Sequence, residues 1–146
     1  MKASLRPGVA TTRRIIVDPA RTIDFIGEEG QVWPVYSTEW LVRDLEHTCL
    51  DFILGHADAG ENSVGTEVAL QYLALTLLGM EVEITATVSA VEGRRVSFNV
   101  SIKDNLELIC VGSHIRFVVD TTKTVERVKA KAAKHGEIPQ RSEPLT

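Results

Sequence analysis

Between residues 38 and 55, apolar side chains recur every three or four positions, which is the period of one face of an α-helix. The apolar face consists of Leu41, Val42, Leu45, Cys49, Leu50 and Ile53. The residues assigned to the polar side are Arg43, Asp44, His47 and Asp51. Ser37 or Thr38 is a natural N-cap, and Gly55 is a natural end. The pattern therefore predicts one long helix from Thr38 to Gly55.

From residue 64 onward the period changes to two, which is typical of strands that bury one face. Turn sequences at Glu92-Gly93 and Lys103-Asp104-Asn105 predict short hairpins between successive strands. The predicted strands cover about residues 11–17, 64–73, 80–91, 96–102 and 106–119, and a second helix covers 122–135. Residues 18–37 show no sustained period, so they are interpreted as a loop with room for a helical turn. A β-bulge is expected near Gly112 in the long last strand.

The order of these elements predicts the fold class. Antiparallel strands joined by short turns form a sheet with one apolar face, and the helix at 38–55 is the only large apolar element able to cover it. We therefore predict an α+β hotdog fold: a five-stranded antiparallel sheet wrapped around a long central helix, plus a C-terminal helix. Residues 1–136 are expected to form a single domain, followed by a flexible tail at 137–146.

Composition excludes several classes of function. The chain has 146 residues and a net charge of −4, which gives no electrostatic basis for binding nucleic acid. No apolar run reaches the ~20 residues of a membrane span. Cys49 and Cys110 lack partners at metal-ligand spacing, so no metal site is expected. With no signal peptide apparent, we expect a cytoplasmic protein with reduced thiols.

Three segments carry a family resemblance: VYSTEWLVRDLEHTCL (35–50), GTEVALQYL (65–73) and VSAVEGRRVSFNVSIKDNLELICVGSHIRF (88–117). Together they resemble the fluoroacetyl-CoA thioesterase group of hotdog proteins. The resemblance implies a homodimer, possibly a tetramer, with acyl-CoA pockets at the subunit interface. It also implies hydrolysis of a small or medium acyl-CoA without any cofactor other than the coenzyme A of the substrate.

The same resemblance implies a set of site residues. Thr38 and Glu46 match the threonine and glutamate with which the family works, and Gly65 and Thr66 match the start of its next strand. Tyr72 stands where the family has a histidine. The aromatic residues Trp33 and Tyr36, just ahead of the helix, are assigned to substrate binding. Trp33 is the only aromatic residue in GQVWPV (30–35), so the fluorinated substrate is not carried over.

Residue chemistry supports these assignments to different degrees. Glu46 lies at the edge of the apolar face, where partial desolvation suits a general base or a nucleophile. Thr38 either binds substrate or caps the helix. If Thr38 and Glu46 are both helical, ~12 Å separates them along the axis. Either Thr38 precedes the helix and folds back onto Glu46, or the two residues meet across a dimer. Gly65 either frees backbone N–H groups for the thioester oxygen or serves as a turn glycine.

Tyr72 is predicted to donate a hydrogen bond, because a phenol with a reference pKa of about 10 is no base at neutral pH. His114 and Arg116 alternate onto one strand face and are expected to anchor a buried carboxylate. Two other functions remain open. One is acyl-CoA or hydrophobic-ligand binding without catalysis, motivated by the missing histidine. The other, ranked last, is a hydratase, for which the required Asp–His pair is absent.

Overall fold

A computed structural model describes residues 1–136 and 141–144. Its strands are β1 (Ala10–Ile16), β2 (Thr22–Ile26), β3 (Val32–Tyr36), β4 (Glu61–Tyr72), β5 (Glu81–Glu92), β6 (Arg95–Lys103) and β7 (Leu108–Asp120). Its α-helices are α1 (Thr38–Leu54) and α2 (Thr121–His135). No helix among the described residues is long and apolar enough to cross a membrane. Of the predicted tail at 137–146, residues 137–140 and 145–146 lie outside the described residues.

The main sheet has the strand order β1-β5-β6-β7-β4, and every neighbouring pair is antiparallel. Strand alternation places the apolar residues of β5 and β6 on one face, where they are buried against α1. The fully buried side chains of this core include Leu45, Ile53, Ile84, Phe98 and Ile102. The predicted five-stranded antiparallel sheet with a central helix and a C-terminal helix is confirmed.

The interpretation of residues 18–37 as a loop was wrong in part. The segment contains a second, two-stranded sheet in which β2 pairs with β3, and two short 3-10 turns at Pro19–Arg21 and Glu28–Gly30. Five of its large apolar side chains remain about half exposed: Ile23, Phe25, Ile26, Val32 and Trp33. Because only the end of β3 is buried, at Val35 and Tyr36, the hairpin sequence lacks the alternation that predicted the other strands.

Gly112 itself pairs with Leu70 of β4 without a shift, but β7 has a register shift nearby, in its pairing with β6, where Ile109 is the extra residue. A Cβ atom on Gly112 would lie 2.1 Å from the carbonyl oxygen of Ala69, so only glycine fits this close strand pairing. The register of β4 shifts between Gly65 and Glu67, which leaves Thr66 as the extra residue. This bulge lies beside the predicted site.

Candidate active site

Glu46 lies in the middle of α1 and faces the start of β4 and the end of β7. Its carboxylate oxygen Oε2 is 3.9 Å from Nη1 of Arg116, and its side chain remains 42% exposed. The carboxylate is therefore partly desolvated, as predicted, but open enough to meet a substrate or a water. An accessible carboxylate in this position can take a proton from a water molecule beside it.

Arg116 is held in place almost entirely by buried partners. The guanidinium is 5% exposed, donates from Nε to the Ser63 hydroxyl at 2.8 Å and donates from Nη2 to the Ser63 carbonyl oxygen at 3.0 Å. Burial lowers the pKa of Arg116, and the negative charge of Glu46 opposes that shift. His114 and Arg116 were predicted to anchor a buried carboxylate; the carboxylate that faces Arg116 is that of Glu46, which is 42% exposed.

His114 is fully buried and connects Arg116 to the sheet. Its Nδ1 is 2.8 Å from the carbonyl oxygen of Glu67, and its Nε2 is 3.2 Å from Nη1 of Arg116. A carbonyl oxygen only accepts, so Nδ1 carries the proton and Nε2 accepts from the guanidinium. Burial and then the positive charge of Arg116 lower the pKa of His114, while the Glu67 carbonyl and Glu46 act in the opposite direction. This histidine is neutral and is occupied on both nitrogens.

Gly65 makes room for this group of side chains. A Cβ atom at this position would lie 3.3 Å from Nη1 of Arg116, 3.3 Å from Cε1 of His114 and 3.5 Å from Oε2 of Glu46. Gly65 therefore sits inside β4, opposite Arg116, rather than in a turn leading into the strand. The missing side chain leaves the backbone beside Glu46 open to a small ligand.

Thr38 and Tyr72 form a separate pair at the other end of α1. Ser37 is the N-cap, because its hydroxyl accepts from the backbone N–H of Trp40, so the exposed Thr38 hydroxyl is free of that role. Partial burial and then the nearby Cys110 thiol raise the pKa of Tyr72, and a side-chain hydrogen bond with Thr38 opposes the shift. Tyr72 therefore keeps its proton at neutral pH and remains a donor.

The structure thus places the predicted catalytic residues in two groups. Thr38 is the first residue of α1 and Glu46 is eight residues further on, a separation of ~12 Å along the helix axis. The possibility that Thr38 precedes the helix and folds back onto Glu46 is excluded by this geometry. Within one protomer, Glu46 has Gly65, His114 and Arg116 as neighbours, whereas Thr38 has Tyr72.

The four predicted substrate-binding residues have different surroundings. Trp33 is 49% exposed on the β2–β3 hairpin, and the bulged residue Thr66 donates from its hydroxyl to the Ile115 carbonyl oxygen at 3.3 Å. Gly65 lies in β4 beside Glu46. Tyr36 is 8% exposed in the core and donates to Oδ2 of Asp44 at 2.6 Å.

Asp44 was assigned to the polar side of α1, and this assignment was wrong. It is 6% exposed, and Arg21 donates to both of its carboxylate oxygens, from Nε at 2.9 Å and from Nη2 at 3.0 Å. A buried carboxylate of this kind needs cationic and hydroxyl donors, which come from residues far away in sequence. The Arg21–Asp44–Tyr36 cluster fastens the β2–β3 hairpin to α1.

Comparison with known proteins identifies the family. Residues 17–122 match the family described as fluoroacetyl-CoA-specific thioesterase. The chain belongs to this thioesterase family. It is 31% identical over 135 residues to the fluoroacetyl-CoA thioesterase of Streptantibioticus cattleyicolor, an alignment that covers 90% of this chain and 97% of that protein.

Solved structures agree with this family membership. The chain is similar to a fluoroacetyl-CoA thioesterase structure at a TM-score of 0.77 and 30% identity, covering 86% of this chain and 96% of that one. It is also similar to a thioesterase superfamily member from Thermus thermophilus, at a TM-score of 0.78 and 31% identity, with 90% and 96% covered. The predicted hotdog fold and the predicted thioester hydrolase class are both confirmed.

Proposed function

We propose that the protein hydrolyses a small or medium acyl-CoA thioester to the free acid and coenzyme A, with Glu46 as the central catalytic residue. The observation that carries the proposal is the partly exposed Glu46 carboxylate beside the open backbone of Gly65. The family relationship supports the reaction class, since the relatives are named for acyl-CoA thioester hydrolysis. It gives no support to the alternative of a binding protein without activity.

The chemistry follows from what each group can donate or accept. Glu46 takes a proton from water while the water oxygen attacks the thioester carbonyl carbon, or its carboxylate attacks that carbon directly. In either route the carbon–sulfur bond then breaks, and the thiolate of coenzyme A leaves and takes up a proton. The first route yields the free acid at once, whereas the second leaves a mixed anhydride on Glu46, which water hydrolyses to the free acid and the regenerated carboxylate. Tyr72, Thr38 and the backbone N–H groups near Gly65 polarise the carbonyl oxygen as negative charge develops on it.

We further propose that each active site is completed by two subunits of a homodimer. β4 is an edge strand of 12 residues, with exposed apolar side chains at Val64, Val68 and Tyr72. A long apolar edge of this kind is a liability for a monomer and is normally covered. Pairing with a second copy of β4 about a two-fold axis covers it in an isologous interface.

We place the two-fold axis of that pairing at Ala69, so that Leu70 pairs with Val68 and Gln71 pairs with Glu67 across the axis. If Thr66 is skipped there as it is opposite β7, the next pair joins Gly65 to Tyr72 of the partner subunit. This arrangement would bring the Thr38–Tyr72 pair of one subunit to the Glu46 carboxylate of the other.

Assembly into a tetramer and binding of substrate by Trp33, Tyr36 and Thr66 remain predictions from the sequence.

The exposed apolar residues of the β2–β3 hairpin supply a surface for the acyl chain or for the partner, and this supports a substrate that is not highly polar. Both described cysteines are free and buried, which fits a reducing, cytoplasmic location.

The reaction is tested by incubating the protein with acyl-CoA esters of increasing length, fluoroacetyl-CoA among them, and following thiol release. We expect turnover of at least one short or medium ester and a loss of at least about 100-fold in kcat for Glu46→Gln. Full activity of Glu46→Gln, or wild-type turnover no faster than the uncatalysed rate across the whole series, would refute the proposal.

A further inference from the structure

The Arg21–Asp44–Tyr36 cluster binds both sides of the point where β3 passes into α1. The Arg21 guanidinium donates to both carboxylate oxygens of Asp44, and the Tyr36 hydroxyl donates to one of them. The carbonyl oxygen of Arg21 accepts from the backbone N–H of Ser37 at 2.9 Å. Its guanidinium also lies over the Trp40 ring, 4.9 Å from the ring centroid. Arg21 therefore contacts the N-cap, the first turn and the second turn of α1.

Thr38 lies between these contacts, and its hydroxyl is the hydrogen-bond neighbour of Tyr72. It is the first residue of α1 and precedes Asp44 by six residues, which is ~9 Å along the helix axis. The segment after β4 is tied to the same place, because the backbone N–H of Tyr36 donates to the carbonyl oxygen of Thr76 at 2.8 Å. The cluster thus holds together the two segments that carry the Thr38–Tyr72 pair.

We propose that Arg21, Asp44 and Tyr36 are positioning residues that hold the Thr38 hydroxyl against that of Tyr72. The inference rests on the proposed function, in which this pair polarises the thioester carbonyl, and adds to it three residues that act through Thr38. A buried ion pair adds little stability compared with apolar side chains of the same volume, whereas its directional bonds favour one geometry. Misplacing a catalytic group by ~1 Å can cost about 100-fold in rate.

Two substitutions at Arg21 test the cluster while leaving its backbone bond to Ser37 in place. Arg21→Ala removes both guanidinium bonds to Asp44, and we expect kcat to fall about 10–100-fold with KM nearly unchanged. Arg21→Lys keeps the charge but not the two-pronged contact, so its loss should be intermediate. Arg13→Ala is the matched control, since Arg13 ties β1 to the last turns of α1 at Asp51, and it should retain kcat within about twofold.

A variant at Ile53 separates positioning from a general loss of stability. Ile53→Val shortens a fully buried side chain near the end of α1, so it should lower the midpoint of urea unfolding while retaining kcat within about twofold. If kcat instead fell in step with the unfolding midpoint across Ile53→Val, Arg13→Ala and the Arg21 variants, the cluster would be a structural anchor only. That result would overturn the inference.

The decisive kinetic measurement repeats the milder substitutions Arg21→Lys and Tyr36→Phe in a Thr38→Ala background. If the cluster acts through Thr38, their effect on the residual kcat should shrink to less than about twofold there. Equal fold-losses in the two backgrounds would overturn the inference while leaving thioester hydrolysis by the wild type intact. Absence of wild-type turnover would instead refute the proposed function.

Subunit mixing shows which catalytic group the cluster serves, because α1 carries both Thr38 and Glu46. If the cluster serves Thr38 of its own subunit, a heterodimer of Arg21→Ala and Glu46→Gln has one intact composite site. Equal mixing should then restore about a quarter of the wild-type kcat per subunit. Mixing Arg21→Ala with Thr38→Ala should restore nothing, since both substitutions impair the same half of the site.

Restoration only with Thr38→Ala would assign the cluster to Glu46 and overturn the inference. So would restoration with neither partner under conditions in which Thr38→Ala and Glu46→Gln complement each other.

Discussion

Thr38 and Glu46 lie on one helix, eight residues apart, with ~12 Å of helix axis between them. At that separation, the two side chains of one protomer cannot both contact the same thioester carbonyl. If both act in one reaction, as proposed, two subunits must contribute them: Thr38 from the start of one α1 and Glu46 from the middle of the other. The proposal therefore makes dimer formation a condition for activity.

Subunit complementation tests this arrangement. In a heterodimer of Thr38→Ala and Glu46→Gln subunits, one composite site has both substitutions and the other has neither. Random mixing of the two inactive proteins should therefore restore about a quarter of the wild-type kcat per subunit, since half of the dimers are heterodimers with one intact site. The measurement is thiol release after co-refolding of equal amounts.

The control for complementation is a mixture of Glu46→Gln with the Thr38→Ala/Glu46→Gln double variant, which cannot form an intact site under any pairing. If Thr38 and Glu46 acted within one subunit, the first mixture would remain as inactive as this control. A monomeric protein in solution that hydrolyses the ester at full rate would contradict the two-subunit site as well.

Tyr72 gives a second prediction, because a phenol has a reference pKa of about 10, which partial burial raises further, so the hydroxyl beside Thr38 is protonated at neutral pH. Tyr72→Phe removes only the hydroxyl, and we expect a loss of kcat of about 100-fold, as for other donors to a developing oxyanion. Tyr72→His places a group with a reference pKa of about 6.5 in the position where the family has its histidine.

We expect Tyr72→His to exceed Tyr72→Phe in kcat by at least about tenfold and to gain a rise in activity through neutral pH that the wild type lacks. The measurement is a pH profile of kcat for the three proteins. A phenylalanine variant as active as the wild type would remove Tyr72 from the mechanism.

Much of the architecture could be predicted because burial imposes a period. β5 and β6 bury alternate residues against α1, and their sequences alternate accordingly. The β2–β3 hairpin obeys no such constraint, since Phe25 and Trp33 pair locally and stay about half exposed. Asp44 was wrongly assigned to the polar side of α1 for a related reason. Its partner Arg21 is 23 residues away, and the helical period gives no indication of that contact.

The site residues also divide into those that the sequence predicted and those that it did not. Glu46 and Thr38 are predicted as site residues from family spacing, and the helix geometry already indicated that, if both are helical, they do not meet in one chain. The neighbours of Glu46 come from β4 and β7, which are paired only in the folded sheet. Ser63, which holds Arg116 through two hydrogen bonds, gave no signal in the sequence because a serine in a strand has many ordinary roles.

Gly65 provides a third prediction, because its Cβ position is crowded by three functional side chains. Gly65→Ala should force Arg116, His114 and Glu46 to shift by a few tenths of an ångström, with a loss of about 10–100-fold in kcat. Gly55→Ala is the matched control, since Gly55 has a helical φ of −66° that alanine adopts readily. Equal kcat for the two variants would show that the space at Gly65 has no catalytic role.

The Arg21–Asp44 pair provides a prediction on stability. Arg21→Ala leaves the buried Asp44 carboxylate with the Tyr36 hydroxyl as its remaining side-chain donor, so we expect a loss of about 3 kcal/mol in the free energy of unfolding. Arg13→Ala breaks an exposed pair with Asp51 and should cost less than about 1 kcal/mol. Urea unfolding measures both, and equal losses would contradict the structural importance of the Asp44 cluster.

His114 makes the stability depend on pH in a defined direction. Its pKa in the folded protein is lowered by burial and by Arg116, so below the unfolded value of about 6.5 the unfolded chain binds a proton that the folded one resists. The contribution of His114 to the free energy of unfolding is therefore complete above pH ~6.5 and is lost as the pH falls toward the folded pKa.

The variant His114→Gln tests this dependence, because it keeps both hydrogen bonds and cannot titrate. As the pH falls from 7.5 to 5.5, this variant should become increasingly more stable than the wild type, as measured by urea unfolding at each pH. The control His47→Gln, on the exposed side of α1, should follow the wild type. Parallel curves for the wild type and His114→Gln would mean that His114 titrates alike in both states and is not the buried neutral acceptor of Arg116.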